Sequence, residues 1–491
     1  MSHIELNNPK VIVGEQYPSR GMRIPNSFFL KNNSWNDFNY LTTYQLYYFD
    51  SNKSLVEIGN IKIAKGSLKS KERPFANGVI DCITDDYFSL GQDKSFYIGL
   101  RDLPEGIGES FLIFMRDLSY NRSIWIKNKN IEVLEWSLFR DLTNMDVISF
   151  LGVFKGEDSK LNYCLSMLGD NPLKFNVDHR YPFKNSNIHA IIGNNGVGKT
   201  TFLKDIAKKI VENQFECKII DNQDKHKIDD GIDIDYIEKV LFVSFSAFDN
   251  SNLDLGRRSK FEYLGLHDGS GGFKGPEKLS KEFEDSLESL LNSKKIEYIE
   301  KVLNPLKNVD YLDEHIEYFL ENVSTPSKII KMYKNLSSGH RIVLHTLIML
   351  MDILHQGIVT LFDEPETHLH PPLLGAFLQS LQTICDDYNG LLVFATHSPI
   401  ILQEVLSPNV VILRRIDGTL VFDEPNVITY GQNVSKLTRT AFGYQKVGFH
   451  KTIMELIDED LISKKSLLEN KLLGTEAKKV ALAKISGDKD V

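Results

Sequence analysis

Short apolar runs and segments of helical period alternate along most of the chain. Between residues 23 and 63, Ser27–Leu30, Asn39–Asp50 and Leu55–Ile63 are rich in aromatic and branched residues, and the turn residues Asp50–Asn52 separate two of them. This pattern predicts an antiparallel meander. Ser110–Asp117 and Asn144–Leu151 are apolar enough to be buried, but their period does not separate helix from strand. Residues 172 to 192 return to strands and end on Ile188, Ala190, Ile191 and Ile192. Val240–Asp249 reads as another core strand running into a loop. From Pro276 to Val323 the pattern is helical, with Phe283, Leu287, Leu290 and Leu291 on one face. A helix over Arg341–Leu354, strands at Ile358–Asp363 and Leu391–Thr396, and a last strand at Val410–Arg415 follow. The tail from Lys464 is charged and reads as helix, then frayed chain. The pattern implies an α/β fold with a mixed β-sheet core, an N-terminal antiparallel β region and an inserted helical subdomain. The expected boundaries are 1–171, 172–255, 256–334, 335–415 and 416–491.

Composition narrows the class. The 491 residues, 42% hydrophobic and 25% charged, are those of a globular chain. A net charge of -9 argues against indiscriminate nucleic-acid binding by the whole surface. Lys62, Lys65, Lys69, Lys71 and Arg73 cluster locally. A solvated loop is preferred there to a nucleic-acid contact. Cys82, Cys164, Cys217 and Cys385 contain no Cys-x-x-Cys pair, so no zinc site or disulfide framework is expected, in keeping with a reducing cytoplasm. Residues 1–8 lack the apolar core of a signal peptide. Ile342–Phe362 is interrupted by His345, Asp352, His355 and Gln356, so no membrane span is expected.

The chemistry begins at Gly193-Asn194-Asn195-Gly196-Val197-Gly198-Lys199-Thr200, which fits the phosphate-loop pattern Gly-x-x-x-x-Gly-Lys-Thr. An apolar strand precedes it and a helical pattern opens at Thr201, the context such a loop requires. Glycines allow backbone N–H groups to converge on phosphate oxygens, and the helix N-terminus adds positive potential. Lys199 is expected on the β- and γ-phosphates of ATP and the Thr200 hydroxyl on Mg²⁺. Downstream, the strand at 358–363 delivers Asp363 and Glu364 to its C-terminal edge, where parallel sheets bind ligands. Asp363 is expected on Mg²⁺. Glu364 is then placed to orient or deprotonate the attacking water, since a metal-bound carboxylate is a poor base. The strand at 391–396 ends at His397, placed to donate to the γ-phosphate. His368 and His370 offer only two ligands, so a loop contacting a partner subunit is preferred to a metal site.

Together, Gly193–Thr200, Leu336–His340, Asp363–Pro365 and His397 resemble the ATPase domains of the ABC superfamily, over about residues 172 to 415. The resemblance implies an ABC-type P-loop ATPase in which Ser337 and Gly339 touch the γ-phosphate bound by the opposite protomer. It therefore implies a head-to-tail homodimer, or a higher even oligomer, with ATP sandwiched between subunits. The phrase Asp363–Pro371 is similar to the soluble SMC-like and RecF-like branch, including ATPases of bacterial anti-phage systems such as the OLD family and the Septu ATPase.

Two features depart from that pattern. No glutamine follows the strand at 240–245, where Ser244, Ser246 and Asp249 stand instead, and the signature has Ser338 and His340 where Gly and Gln or Glu are usual. An OLD-type protein would also carry a nuclease domain. Fewer than about a hundred residues follow His397, too few for an ordinary domain of that kind. Glu455, Asp458, Glu459 and Asp460 read as a solvated helix face. A nuclease or other effector is therefore expected on a separate chain. The expected function is an ATP hydrolase that controls that effector in phage defence, with DNA as a possible ligand and no membrane partner. A RecF-like repair ATPase, the energising subunit of a transporter and a clamp that binds ATP without turnover are the alternatives.

Overall fold

The computed structural model describes residues 9–104, 106–156, 160–169, 172–179, 186–220, 237–246, 260–267, 272–293, 295–354, 357–416, 419–441, 448–459, 466 and 473–486. The first sheet comprises β1 (Lys10–Gly14), β2 (Ser27–Asn32), β3 (Thr43–Phe49), β4 (Leu55–Lys65), β5 (Gly78–Ile80) and β6 (Tyr87–Gly91) in the order β5-β1-β2-β3-β4-β6. Strands β2, β3 and β4 make the expected antiparallel meander. The sheet as a whole is mixed, because β1 runs parallel to β2. Residues 15–26 supply a connection long enough for that crossover.

Helices α1 (Lys94–Arg101), α2 (Ile107–Phe114), α3 (Arg122–Asn128) and α4 (Asn144–Lys155) cover this sheet and share its core with Phe28, Tyr44 and Leu46. The two runs whose period was ambiguous are α2 and α4. Capping decides α4: Thr143 and Asp146 form a reciprocal box at its start, and Gly156 at φ 77° ends it. The basic cluster is divided: Lys62 is buried, and Lys65 and Arg73 are half-buried and paired. Lys62 pairs with buried Asp37 at 2.9 Å, Lys65 with Glu72 at 3.0 Å, and Arg73 donates to the Asn33 carbonyl at 2.6 Å. Lys69 and Lys71 are its exposed members. Burial pushes the Asp37 carboxyl up, but hydrogen bonds from Lys62, Arg140 and Trp35 carry it below its ordinary value.

A three-stranded antiparallel sheet follows: β7 (Asn162–Met167), β8 (Lys174–Val177) and β10 (Phe215–Ile220), in the order β10-β7-β8. The central sheet holds β9 (Ile188–Ile192), β11 (Lys239–Ser244), β12 (Phe261–Gly265), β13 (Ile358–Asp363), β14 (Leu391–Thr396), β15 (Val410–Ile416) and β16 (Thr419–Asp423), in the order β12-β11-β13-β14-β9-β15-β16. Its first six strands in that order are parallel and β16 is antiparallel to β15. The strand expected to be last is thus the first arm of a hairpin.

Every residue of β13 and β14 is buried, as a parallel sheet covered on both faces requires. Along β9, Ile191 joins one core, with Leu203 and Ile206 of α5 (Lys199–Val211), while Ile188, Ala190 and Ile192 join the other. That second core is filled from α6 (Pro276–Asn292), α7 (Ile296–Leu303), α8 (Asp313–Glu321), α9 (Pro326–Asn335), α10 (Ser338–Ile353) and α11 (Pro371–Tyr388). Within it Phe283 stacks on Tyr333 at 4.0 Å between centroids. Of the tail, α12 (Pro399–Gln403) and α13 (Val434–Ala441) pack together. Beyond them α14 (Phe449–Asp458) buries Ile453 against Val480 and Ala481 of α15 (Thr475–Ser486). Glu455, Asp458 and Glu459 are exposed. Asp460, Asp249, His355 and Gln356 lie outside the described residues, as does residue 464.

Asn389 joins two of these layers. It takes a left-handed conformation, φ 51°, just past α11, which asparagine tolerates better than most residues. Its amide donates to the Leu161 carbonyl at 3.1 Å, its carbonyl accepts from the Tyr163 hydroxyl at 3.2 Å, and its side-chain oxygen meets His179. On the preceding turn Asp386 pairs with Lys160 at 2.6 Å and Asp387 with Lys301 at 2.6 Å.

Two buried histidines set an acid limit. His189 of β9 meets the Asn176 carbonyl at 2.9 Å, and His345 of α10 meets the Tyr333 hydroxyl at 3.2 Å. Burial lowers each to about 4. Below about 6.5 the unfolded chain takes up protons that the native chain refuses. Stability attributable to each is therefore complete above pH 6.5 and falls as pH drops toward 4, by about 2 kcal/mol each near pH 4.5. Denaturant midpoints between pH 7 and 4.5 are expected to fall, and less steeply in His189→Gln. Parallel curves for the two proteins would show that His189 titrates normally.

Candidate active site

Strands β14, β9 and β15 lie side by side, so the turn after β9 opens between two neighbouring strand ends. Gly196 and Gly198 take φ 77° and 103°, the left-handed region that favours glycine. Gly198 caps α5 without a side-chain hydrogen bond, leaving the first amides of that helix for an anion. Asn194, Asn195 and Thr201 are exposed, whereas Val197 is buried and donates to the Asn194 carbonyl at 3.2 Å. A Cβ at Gly193 would come within 2.5 Å of the Leu413 carbonyl, so β15 fixes that glycine.

Lys199, the first residue of α5, is buried and donates to the Gly193 carbonyl at 3.3 Å. Its ammonium also contacts Nε2 of His397. Thr200 Oγ1 donates to Asp363 Oδ1 at 3.1 Å. Glu364 sits at φ 45° with its N–H held by the Ala395 carbonyl at 2.8 Å, a conformation that costs a non-glycine residue about 1–3 kcal/mol. That turn brings its carboxylate to 3.6 Å from His397 Nε2. Asn195, Gly196, Gly198, Lys199, Thr200, Thr201, Glu364 and His397 line one pocket of about 610 Å³.

The electrostatics suit a metal–polyphosphate complex. Burial pushes the Lys199 ammonium below its ordinary value, against the pull of Glu364, Asp363 and Glu366. Burial, then the Lys199 charge, lowers His397 to about 4. The imidazole is neutral near pH 7 and keeps one N–H to donate. Three carboxylates around one lysine leave negative charge for a cation. Asp363 and Thr200 supply hard oxygens, and Ser244, in register with Asp363, has a buried hydroxyl without a hydrogen-bond partner among the described residues. These oxygens fit Mg²⁺, which takes few protein ligands and keeps water. No group of three His, Cys, Asp or Glu with metal-holding geometry occurs among the described residues. His370 instead caps α11, accepting from Leu373 N–H at 3.3 Å.

Ser337 and Gly339 do not join this pocket. Ser337 is exposed and caps α10, accepting from His340 N–H at 3.3 Å. Gly339 packs so closely that a Cβ would lie 2.9 Å from the His368 carbonyl. Two further residues escaped sequence reasoning. Arg415 donates to the Val197 carbonyl at 3.4 Å and braces the phosphate loop. Glu366 accepts from Thr396 Oγ1 at 2.8 Å and from His397 N–H at 2.7 Å. Glu366 stands inside the acidic phrase, but its spacing assigned it no task, and Arg415 carried no signal at all.

A six-stranded parallel core with this loop, acid pair and histidine at adjoining strand ends has the arrangement of a P-loop nucleotide site. Residues 308–403 match the family described as "AAA domain, putative AbiEii toxin, Type IV TA system". The chain is 30% identical to protein ea59 of Escherichia phage lambda over 510 aligned positions, covering 92% of this chain and 94% of that protein. It belongs to the family of that phage protein. Among solved structures, a nucleotide-free ATP-binding cassette from an ABC transporter is 14% identical with a TM-score of 0.26, covering 54% of this chain and 91% of that one. An inward-facing putative metal-chelate type ABC transporter is also 14% identical, with a TM-score of 0.27, covering 57% and 88%. No described helix is long and apolar enough to cross a membrane.

Proposed function

We propose that this chain hydrolyses Mg·ATP in a head-to-tail dimer and that the closing and opening of that dimer control a separate effector, such as a nuclease, in conflict between phage and bacterium. The observation that carries this reading is that two sets of conspicuous residues lie apart. Lys199, Thr200, Asp363, Glu364 and His397 meet around one pocket, while Ser337 and Gly339 are held outside it. A second copy would bring its Ser337 and the N-terminus of its α10 to the γ-phosphate. Bound ATP then favours the closed pair, and its loss favours separation. Mg²⁺ held by Thr200 and Asp363 would neutralise the phosphates and the charge that develops on them. Lys199 orients the phosphates, Glu364 orients or deprotonates water, and neutral His397 donates to the terminal phosphate.

The phage origin of the relative and the toxin–antitoxin description of the matched family favour this setting over RecF-like repair or transport. Light scattering with and without Mg·ATP, alongside phosphate release, tests the proposal. The mass is expected to double with ATP and to return as phosphate appears. A constant monomer that releases phosphate would overturn the dimer, and a constant absence of phosphate release would leave a clamp. Co-purification with DNA alone, without a stoichiometric protein, would favour the repair reading.

A further inference from the structure

We propose that Glu366 is a positioning residue that sets the catalytic reach of His397 by holding its backbone. This rests on the ATPase reading above and adds a residue to its machinery. Oε1 of Glu366 accepts the His397 N–H at 2.7 Å and the Thr396 hydroxyl at 2.8 Å. Thr396 in turn accepts the Ser398 N–H through the same hydroxyl at 2.8 Å. One carboxylate oxygen thus fixes three successive residues at the end of β14. The carboxylate belongs to the turn after β13, the same turn that carries Glu364 in a left-handed conformation. That turn is itself pinned to β14 by Glu364 N–H on the Ala395 carbonyl at 2.8 Å and closed by Thr367 N–H on the Glu364 carbonyl at 3.0 Å.

Glu364 and His397 are therefore placed against each other through a short bridge, and Glu366 is its side-chain half. The arrangement also carries a cost. Glu366 Oε2 is buried and has no hydrogen-bond partner among the described residues. A carboxylate kept there at the cost of burial is retained for what its other oxygen does. Without it, the end of β14 keeps its ladder but His397 gains freedom at the backbone. The imidazole then has no fixed distance to Lys199, Glu364 or a terminal phosphate, whereas the phosphate loop is untouched.

The test compares Glu366→Ala and Glu366→Gln in the full chain by two readouts. In steady-state hydrolysis, E366A is expected to lower kcat by about 10- to 100-fold, the scale of a misplaced catalytic group, with KM for ATP nearly unchanged. E366Q keeps Oε1 and is expected to restore most of kcat. In the second readout, diethylpyrocarbonate labelling of His397 is followed by peptide mass spectrometry without nucleotide. Labelling should quicken severalfold in E366A and stay near wild type in E366Q. Equal kcat loss in both variants, or loss of kcat and KM together with unchanged His397 labelling, would overturn the proposal. If wild type itself shows no turnover, the ATPase reading fails, and the labelling rates alone still decide the role of Glu366.

Discussion

Lys199→Ala is expected to abolish productive ATP binding and to lower phosphate release by at least about 100-fold, the scale of removing one preorganised donor from a charged transition state. The loss should exceed that of a missing hydrogen bond. Asp363, Glu364 and Glu366 all act on the Lys199 ammonium. Without it, these acids face an incoming polyphosphate with no protein cation buried among them to offset the repulsion. The same substitution should not destabilise the fold. Burial works against the ammonium in the free chain, and alanine removes that cost along with the contact to His397. A thermal midpoint at or above that of wild type, with fluorescent ATP no longer bound, is the expected pair of results. Retained binding at wild-type affinity would remove Lys199 from the nucleotide site.

Glu364→Gln should separate binding from turnover. The amide keeps the size and hydrogen-bonding edge of the side chain but is not a base, so hydrolysis is expected to fall by about 10²- to 10⁴-fold, the usual worth of a positioned general base. Asp363, Thr200 and the phosphate loop are unchanged, and one negative charge beside the phosphates is gone. ATP should therefore bind at least as tightly, and light scattering should find the dimer persisting after wild type has returned to monomer. Rapid turnover by E364Q would pass the role of base to another group. Equal monomer fractions for the two proteins at saturating ATP would count against the closed dimer.

Much of this site was legible because its chemistry is local in sequence. Gly193–Thr200 needs one strand, one turn and one helix, and each announces itself by period or by glycine. Asp363 ends and His397 follows a fully buried, mostly apolar strand, whose type and direction a parallel sheet dictates. What was not legible depends on register between distant strands. Arg415 reaches the phosphate loop because β15 pairs with β9 at Val410–Ala190, a fact no spacing contains. Glu366 finds Thr396 and His397 because β13 lies beside β14. The mixed character of the first sheet was hidden for a similar reason: β1 carries the same residue types whether it runs parallel or antiparallel to β2. In α4 the ambiguity of a continuous apolar run was resolved by a capping box that hydrophobic period alone does not weigh.

Helix α11 is a strut between chemistry and scaffold. Its 18 residues span ~27 Å, from His370, just beyond the turn that carries Glu364, to Asn389. At the far end the strut is riveted on two sides, to the three-stranded sheet through Tyr163, His179 and Lys160 and to the helical layer through Lys301. A rod anchored this way has little slack. A shift at its near end would therefore be felt in both layers at once, far from the pocket itself.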